Sequence, residues 1–316
     1  MRVWLCVSAV LALGCGELEP GPGLFPAQDG WIFDMASDGG DARVGASDAG
    51  PDAAPLADPV GTWAVFVEDR KCLSAVGTTV ENVVWTWARL EILETTTVGG
   101  SGYTALRQRF TLCSQDLSPL IGGLRTIVPA AIVERLHPID WSATLLGRAP
   151  GSGYVSAELV DLWGATGVAL DEPIPVDGED PRLEDSDQDG EPGVTFVVGS
   201  GAGEACRVHV VQRTRLNFDG QVLDATHIAG ALGSVIEKTV LSATSPLCNS
   251  STDLVPSPTP SRFWMARVDG VAGGLNLDLN ANGVVGCDEI LASDAVLSGP
   301  TGVARLEPDN SVCGAD

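Results

Sequence analysis

Residues Asp278 to Glu289 read Asp-Leu-Asn-Ala-Asn-Gly-Val-Val-Gly-Cys-Asp-Glu, which puts side-chain oxygens at the first, third, fifth and twelfth places. A hard cation of calcium's size takes about six to eight oxygens, and alternate side chains of a tight loop converge on one point. Gly283 at the sixth place permits the bend. The Val284 carbonyl then serves as a backbone ligand and Glu289 as a bidentate carboxylate, beside Asp278, Asn280 and Asn282. A second run, Asp185-Ser-Asp187-Gln-Asp189-Gly190, repeats the first half of that pattern. It lies between Asp171 and Glu191, where 10 of 21 residues are acidic. Three carboxylates so close repel one another unless a cation lies between them. Both loops therefore point to binding of a divalent ion, with calcium the expected cofactor.

The first loop resembles the calcium loop of the EF-hand. That resemblance implies a helix on either side, and Glu289 to Leu297 suits the exiting one. Val268-Asp-Gly270-Val-Ala-Gly273-Gly274 is too rich in glycine to enter as a helix. The expectation is a lone loop feeding half a hand, with a dissociation constant of about 0.1 to 1 mM. An Asx-turn with a helix cap and no ion is the alternative. The second loop resembles the Asp-x-Asp-x-Asp-Gly loops of thrombospondin type 3 repeats and dockerins. Phe196 stands where a twelfth-place Glu would close the shell, so another group or water must complete it, and a solvated acidic linker is the alternative.

Catalytic signatures are lacking. There is no Gly-x-Ser-x-Gly, His-Glu-x-x-His or Walker loop, and Gly199-Ser-Gly201-Ala-Gly203 reads as a hairpin loop. The three histidines are His137, His209 and His227. The last two fall on neighbouring strands and read as single polar residues on a sheet face. Arg107 with Arg109, and Arg213 with Arg215, each place two guanidinium groups on one strand face, where pairing with carboxylates of neighbouring strands is expected. Acidic residues are too abundant for composition to select a glycosidase-type pair. The chain reads as a non-enzyme.

The 18 basic and 42 acidic residues give a formal charge of −24, which excludes nucleic acid as a partner because that affinity rests on cations neutralising phosphates. Arg2 precedes an apolar run from Trp4 to Leu13, too short to cross a bilayer and suited to a signal peptide over residues 1–14. Leu11-Ala12-Leu13-Gly14-Cys15 resembles the lipobox of bacterial lipoproteins. The resemblance implies that Cys15 is acylated and becomes the first residue of the mature chain. Gly16 in place of Asp implies a Gram-negative outer-membrane address within the cell envelope, with membrane as the partner through the lipid; an ordinary secretory leader, with Cys15 incidental and the product secreted, is the alternative. From Ala36 to Pro59, 21 of 24 residues are Ala, Gly, Asp, Pro or Ser, so residues 15–59 read as a disordered acidic tether. Trp31, Ile32 and Phe33 form a short apolar patch within it. Six cysteines remain: Cys72, Cys113, Cys206, Cys248, Cys287 and Cys313. In an exported protein they imply three disulfides, and nearest-neighbour pairing (72–113, 206–248, 287–313) is the expectation.

Past Val60 the hydrophobic period is mostly two. Strands are expected over 60–70, 83–93, 103–115, 153–163, 194–198, 206–218, 222–229, 235–243 and 262–268, with an Asp219-Gly220 hairpin turn and a helix near 124–136. The fold class is mainly β, an antiparallel barrel or sandwich over residues 60–268, followed by the calcium-loop segment 269–316. Gly61-Thr62-Trp63 resembles the first-strand motif of lipocalins, which implies a barrel holding an apolar ligand. The functional expectation is an exported, lipid-anchored, non-catalytic binding or structural module stiffened by calcium. A lipocalin-like carrier and a calcium-dependent hydrolase are the alternatives. A cavity lined by Trp63, Trp85 or Trp87 would mark the carrier, and converging carboxylates with a His in a cleft would mark the hydrolase.

Overall fold

β-Branched and aromatic residues run through twelve strands: β1 (Gly61–Ala75), β2 (Thr78–Val98), β3 (Tyr103–Leu117), β4 (Arg125–Ile127), β5 (Ile139–Leu145), β6 (Gly153–Ser156), β7 (Leu159–Trp163), β8 (Val194–Ser200), β9 (Gly203–Val222), β10 (His227–Ala243), β11 (Leu254–Pro256) and β12 (Arg262–Arg267). Among the described residues three short α-helices accompany them, α1 (Ala130–Val133), α2 (Cys287–Ala292) and α3 (Asp294–Leu297). The structure, a computed structural model, describes residues 54–75, 78–98, 102–119, 123–200, 203–248, 254–297 and 305–314, all within the unit Val44–Asp316. The leader, Cys15, the Trp31-Ile32-Phe33 patch and the tether up to residue 53 lie outside the described residues.

The antiparallel pairings form a ring. β1 pairs β2, β2 pairs β3, β3 pairs β5 and β5 pairs β6. β6 then pairs β9, β9 pairs β10, β10 pairs β12, and β12 returns to β1. β7 and β8 continue along the edge of β9 that β6 begins. Each strand of the ring joins the next one in chain order, so the sheet is an up-and-down barrel with no free edge in its closed part. This pairing decides between the barrel and the sandwich.

Alternation along the strands sorts residues by face. Trp63, Val65 and Val67 of β1, Leu90 and Ile92 of β2, Phe110 of β3, Tyr154 of β6, Phe218 of β9 and Phe263 of β12 all belong to one buried cluster inside the ring. Phe218 meets Phe263 edge-on at 4.9 Å and Trp141 at 5.0 Å. Leu56 joins this cluster and its N–H donates to the Arg148 carbonyl, so ordered packing starts four residues ahead of Val60.

The outer wall of β1, β2 and β12 is covered by the C-terminal segment. Phe66, Trp85, Trp87 and Trp264 pack against Leu277, Val285, Ile290 and Leu297. Further along the same wall, Arg70 donates to Glu68 at 2.9 Å and to Glu81 at 2.7 Å, all three fully covered. The backbone closes that network from above: the Leu306 N–H donates to Glu68, the Asp309 N–H to Glu81, and the Leu306 carbonyl accepts from Arg70.

That excursion overturns two of the three expected cysteine pairings. Cys72 bonds Cys313 and Cys113 bonds Cys287, while Cys206–Cys248 is as expected. Sequence proximity misleads because closure entropy grows only logarithmically with loop length. Pairing is set by which wall the chain folds back across.

The expected hairpin turn, helix and one strand also differ. Asp219 and Gly220 sit inside β9, and the chain reverses between Val222 and His227 instead. Gly220 faces Gly230 across the ladder, and a Cβ there would meet the Phe263 ring at 2.6 Å, so the glycine serves core packing and not a turn. The helix expected at 124–136 is β4 followed by the single turn of α1, because Pro129 cannot donate within a helix. The 153–163 strand is two, β6 and β7, while β5 is a strand that the periodicity did not reveal.

Candidate functional site: two acidic loops and the barrel interior

The two acidic loops fold alike. In the first, Asp278 accepts from the N–H groups of Asn282 and Gly283, both at 2.9 Å, and the Asn282 carbonyl oxygen of the side chain accepts from Val284 N–H at 2.8 Å. In the second, Asp185 accepts from Asp189 N–H at 3.1 Å and Gly190 N–H at 2.9 Å, and Asp189 accepts from Glu191 N–H at 2.9 Å. Ala281 and Gln188, at the fourth place of each, share a φ of 57°, and the glycines that follow lie at 84° and 94°. That left-handed pair is what turns successive odd-numbered side chains toward one point, and glycine adopts it at the least cost.

The loops differ at the closing place. Glu289 is nearly covered and is turned onto the first loop: it accepts from the N–H groups of Leu279 at 2.8 Å, Asn280 at 3.1 Å and, capping its own helix, Gly286 at 2.8 Å. Val285, at the eighth place, is buried under Trp85 and Trp87, and neighbouring Cys287 is bonded to β3. No regular entering helix precedes Asp278; a single turn at Val271–Gly273 stands there, as its glycines led one to expect.

In the second loop one ligand atom each of Asp185, Asp187 and Asp189 lies within 4.8 Å of the others. Thr195 of β8 ties this cluster to the barrel: its N–H donates to Asp187 at 2.9 Å and its hydroxyl to Asp189 at 2.6 Å. The hydroxyl then accepts from His209 Nδ1–H at 3.0 Å, which fixes that ring's tautomer. Asp187 is only 7% exposed, and its Oδ1 is buried with no hydrogen-bond partner. Burial, opposed by the Thr195 N–H and aided by Asp189 and Asp185, raises the Asp187 carboxyl above its ordinary range. A buried carboxylate oxygen without a donor, in a cluster of three carboxylates, fits a hard cation better than it fits a solvated linker.

The remaining singled-out residues have structural partners. Arg107 pairs Glu94 at 3.2 Å, Arg109 pairs Asp140 at 2.8 Å, Arg213 pairs Glu237 at 2.6 Å and Arg215 pairs Glu158 at 2.9 Å. His227 bonds Asp224 at 2.9 Å and stacks near Trp264 at 5.1 Å. At Asp224 burial works against ionisation, but the bonds from His227 and Thr226 outweigh it and hold the carboxyl at about 2. His209 pairs with Ser242 and His227 lies beyond Val222, so the two rings stand at opposite ends of the β9–β10 ribbon. His137 is exposed. Gly199 and Gly203 flank a hairpin between β8 and β9.

The three tryptophans do not line one wall. Trp63 is packed inside the ring, whereas Trp85 and Trp87 face outward under the C-terminal segment. Sequence reading missed two interior groups, Asp161 on β7 and Lys238 on β10. The alternation that turns Leu159 and Leu232 inward turns them inward too. Burial raises the Asp161 carboxyl to about 6, with the Trp163 indole pulling the other way, and burial lowers the Lys238 ammonium.

No family model, curated protein or solved structure matches this chain.

Proposed function

We propose that this chain is an exported, lipid-anchored component of a bacterial cell envelope, a non-catalytic β-barrel whose covering segments are locked by calcium. Three disulfides among the described residues are consistent with an oxidising, extracytoplasmic setting, and no described helix is long and apolar enough to cross a membrane. The lipid anchor at Cys15 and the outer-membrane address rest on the leader sequence alone. The observation that carries the ion is the orphaned Asp187 Oδ1 within the Asp185–Asp187–Asp189 cluster, supported by the matching backbone of the Asp278 loop. Asp185, Asp187 and Asp189 would hold one ion; Asp278, Asn280, Asn282, the Val284 carbonyl and Glu289 would hold the other. Each loop fastens an excursion to the barrel, one at β8 and one over Trp85 and Trp87, so an ion there stiffens the fold and performs no reaction.

The test is thermal unfolding with calcium against chelator. At millimolar calcium a site of about 0.1 mM affinity adds roughly 1.4 kcal/mol, which in a chain of this size raises Tm by about 3 to 6 °C. Asp187→Asn and Glu289→Gln should each remove part of the rise, and the double variant nearly all. An undiminished rise in the double variant, or none in the native chain, overturns the reading.

A further inference from the structure

Inside the barrel the strands change character at one level. Inward of Val67, β1 presents Asp69 and Lys71; next to Ala88, β2 presents Thr86; after Leu159, β7 presents Asp161. β9 offers Thr214 and Gln212, and β10 offers Ser234 and Lys238, with Ile236 between them, on the face that carries Phe218 and Leu232. Beyond this belt the interior is apolar again, where Trp163, Val210 and Val240 meet Ile132 and Val133 of α1. Polar side chains from β1, β2, β7, β9 and β10 therefore lie between two apolar clusters that touch each other through Leu112 of β3, and enclosed polar groups cost free energy unless they are partnered.

Most of the belt is partnered from within. Asp69 accepts from the hydroxyls of Ser234 at 2.6 Å and Ser261 at 2.9 Å, Lys71 lies 3.4 Å from Asp69 and donates to the Ser234 carbonyl at 2.8 Å, and Gln212 donates to Thr214 at 3.1 Å. Asp161 and Lys238 make no ion pair among the described residues, and both keep part of their surface accessible although walled by the barrel. Lys71 and Lys238 are the two lysines of the whole sequence; every other basic residue is Arg. An acidic chain that uses arginine everywhere outside has kept both compact ammonium groups for its interior.

Asp161 stands opposite Thr214 and Lys238 opposite Gln212, so the two charges flank β9 on either side. At ordinary sheet spacing they are about 10 Å apart across the strands and about 7 Å along them. An apolar ligand would leave both charges uncompensated; an anion would satisfy only Lys238 and a cation only Asp161. We propose that this belt is a binding chamber for a small zwitterion of the amino-acid type, its ammonium held by Asp161 and its carboxylate by Lys238. Gln212 and Thr214, lying between the two charges, supply neutral hydrogen-bonding groups. The chamber goes beyond the reading of the ion loops and is independent of it, since those loops lie outside the ring.

The experiment screens the full chain by thermal shift against the common free amino acids and glycine betaine at millimolar concentration. Any that bind are then titrated calorimetrically beside the matching carboxylic acid and the matching amine. The expected result is binding of at least one zwitterion, with each singly charged analogue weaker by about tenfold or more. Asp161→Asn and Lys238→Met, shown to be folded by circular dichroism, should each lose a similar factor, while Lys238→Arg and the surface variant Arg109→Gln retain binding. If Lys238→Met does not fold, loss in Asp161→Asn alone together with the analogue series decides the matter. Failure of every zwitterion to bind, equal binding of a singly charged analogue, or native affinity in the folded variants overturns the proposal.

Discussion

Asp161→Asn should make this protein more stable, and only above a definite pH. The carboxyl is enclosed beside Trp163, and burial raises it from 3.8 to about 6. A carboxyl raised in the folded state favours folding when protonated: its contribution is complete below the unfolded value and is lost as pH rises through the folded one. A shift of about two units corresponds to roughly 3 kcal/mol at pH 8, falling to nothing near pH 4. Asparagine has nearly the same shape and never ionises. The variant should therefore exceed the native chain by up to about 3 kcal/mol at pH 8, or about 6 to 12 °C in Tm, and match it at pH 4. Urea unfolding of both proteins at half-unit steps across that window, without added amino acids, measures the difference directly. Carboxylates held low, such as Asp224 and Asp180, titrate in both proteins and cancel in the comparison. A difference that does not change with pH, or a variant weaker at pH 8, would refute the claim that an enclosed, uncompensated charge sits at this position. A stabilising substitution that removes binding is the trade expected where a residue is kept for function.

Two further outcomes test how the C-terminal segment is held. Arg70→Met removes the cation that Glu68 and Glu81 share and leaves the enclosed Glu81 with no cation, and should cost about 3 to 5 kcal/mol in chemical denaturation; a cost under 1 kcal/mol would mean that Arg262 at Glu68, the Ser257 hydroxyl at Glu81 and the backbone donors of Leu306 and Asp309 suffice. Replacing Cys113 and Cys287 together by Ala frees the loop above Trp85 and Trp87, and should shift tryptophan emission to the red and lower stability by about 4 kcal/mol or more. Unchanged emission would show that Val285 and Ile290 hold the cover unaided.

Local chemistry was legible where it depends on neighbours in the chain. The Asp278 and Asp185 loops form from contacts within a few residues, and the odd-place oxygens with a following glycine announce their shape. Strands β1, β2, β3, β8 and β12 were legible from alternation, because one face of each meets the core. Asp219-Gly220 was misread because a glycine that clears an aromatic ring from across the barrel looks the same in sequence as one that turns a hairpin.

The sequence by itself determined the β class, the paired cysteines, the two oxygen-lined bends and the pairing of Arg107, Arg109, Arg213 and Arg215 with carboxylates. Each follows from side-chain type and short spacing. Tertiary structure alone decided that the sheet closes into a ring, that Cys72 and Cys113 reach forward to Cys313 and Cys287, and that Asp161 and Lys238 stand on either side of β9. Those facts depend on which strands become neighbours. Residues 77 positions apart in the chain come to flank a single strand because hydrogen bonding around a closed sheet, and not distance along the backbone, sets who faces whom.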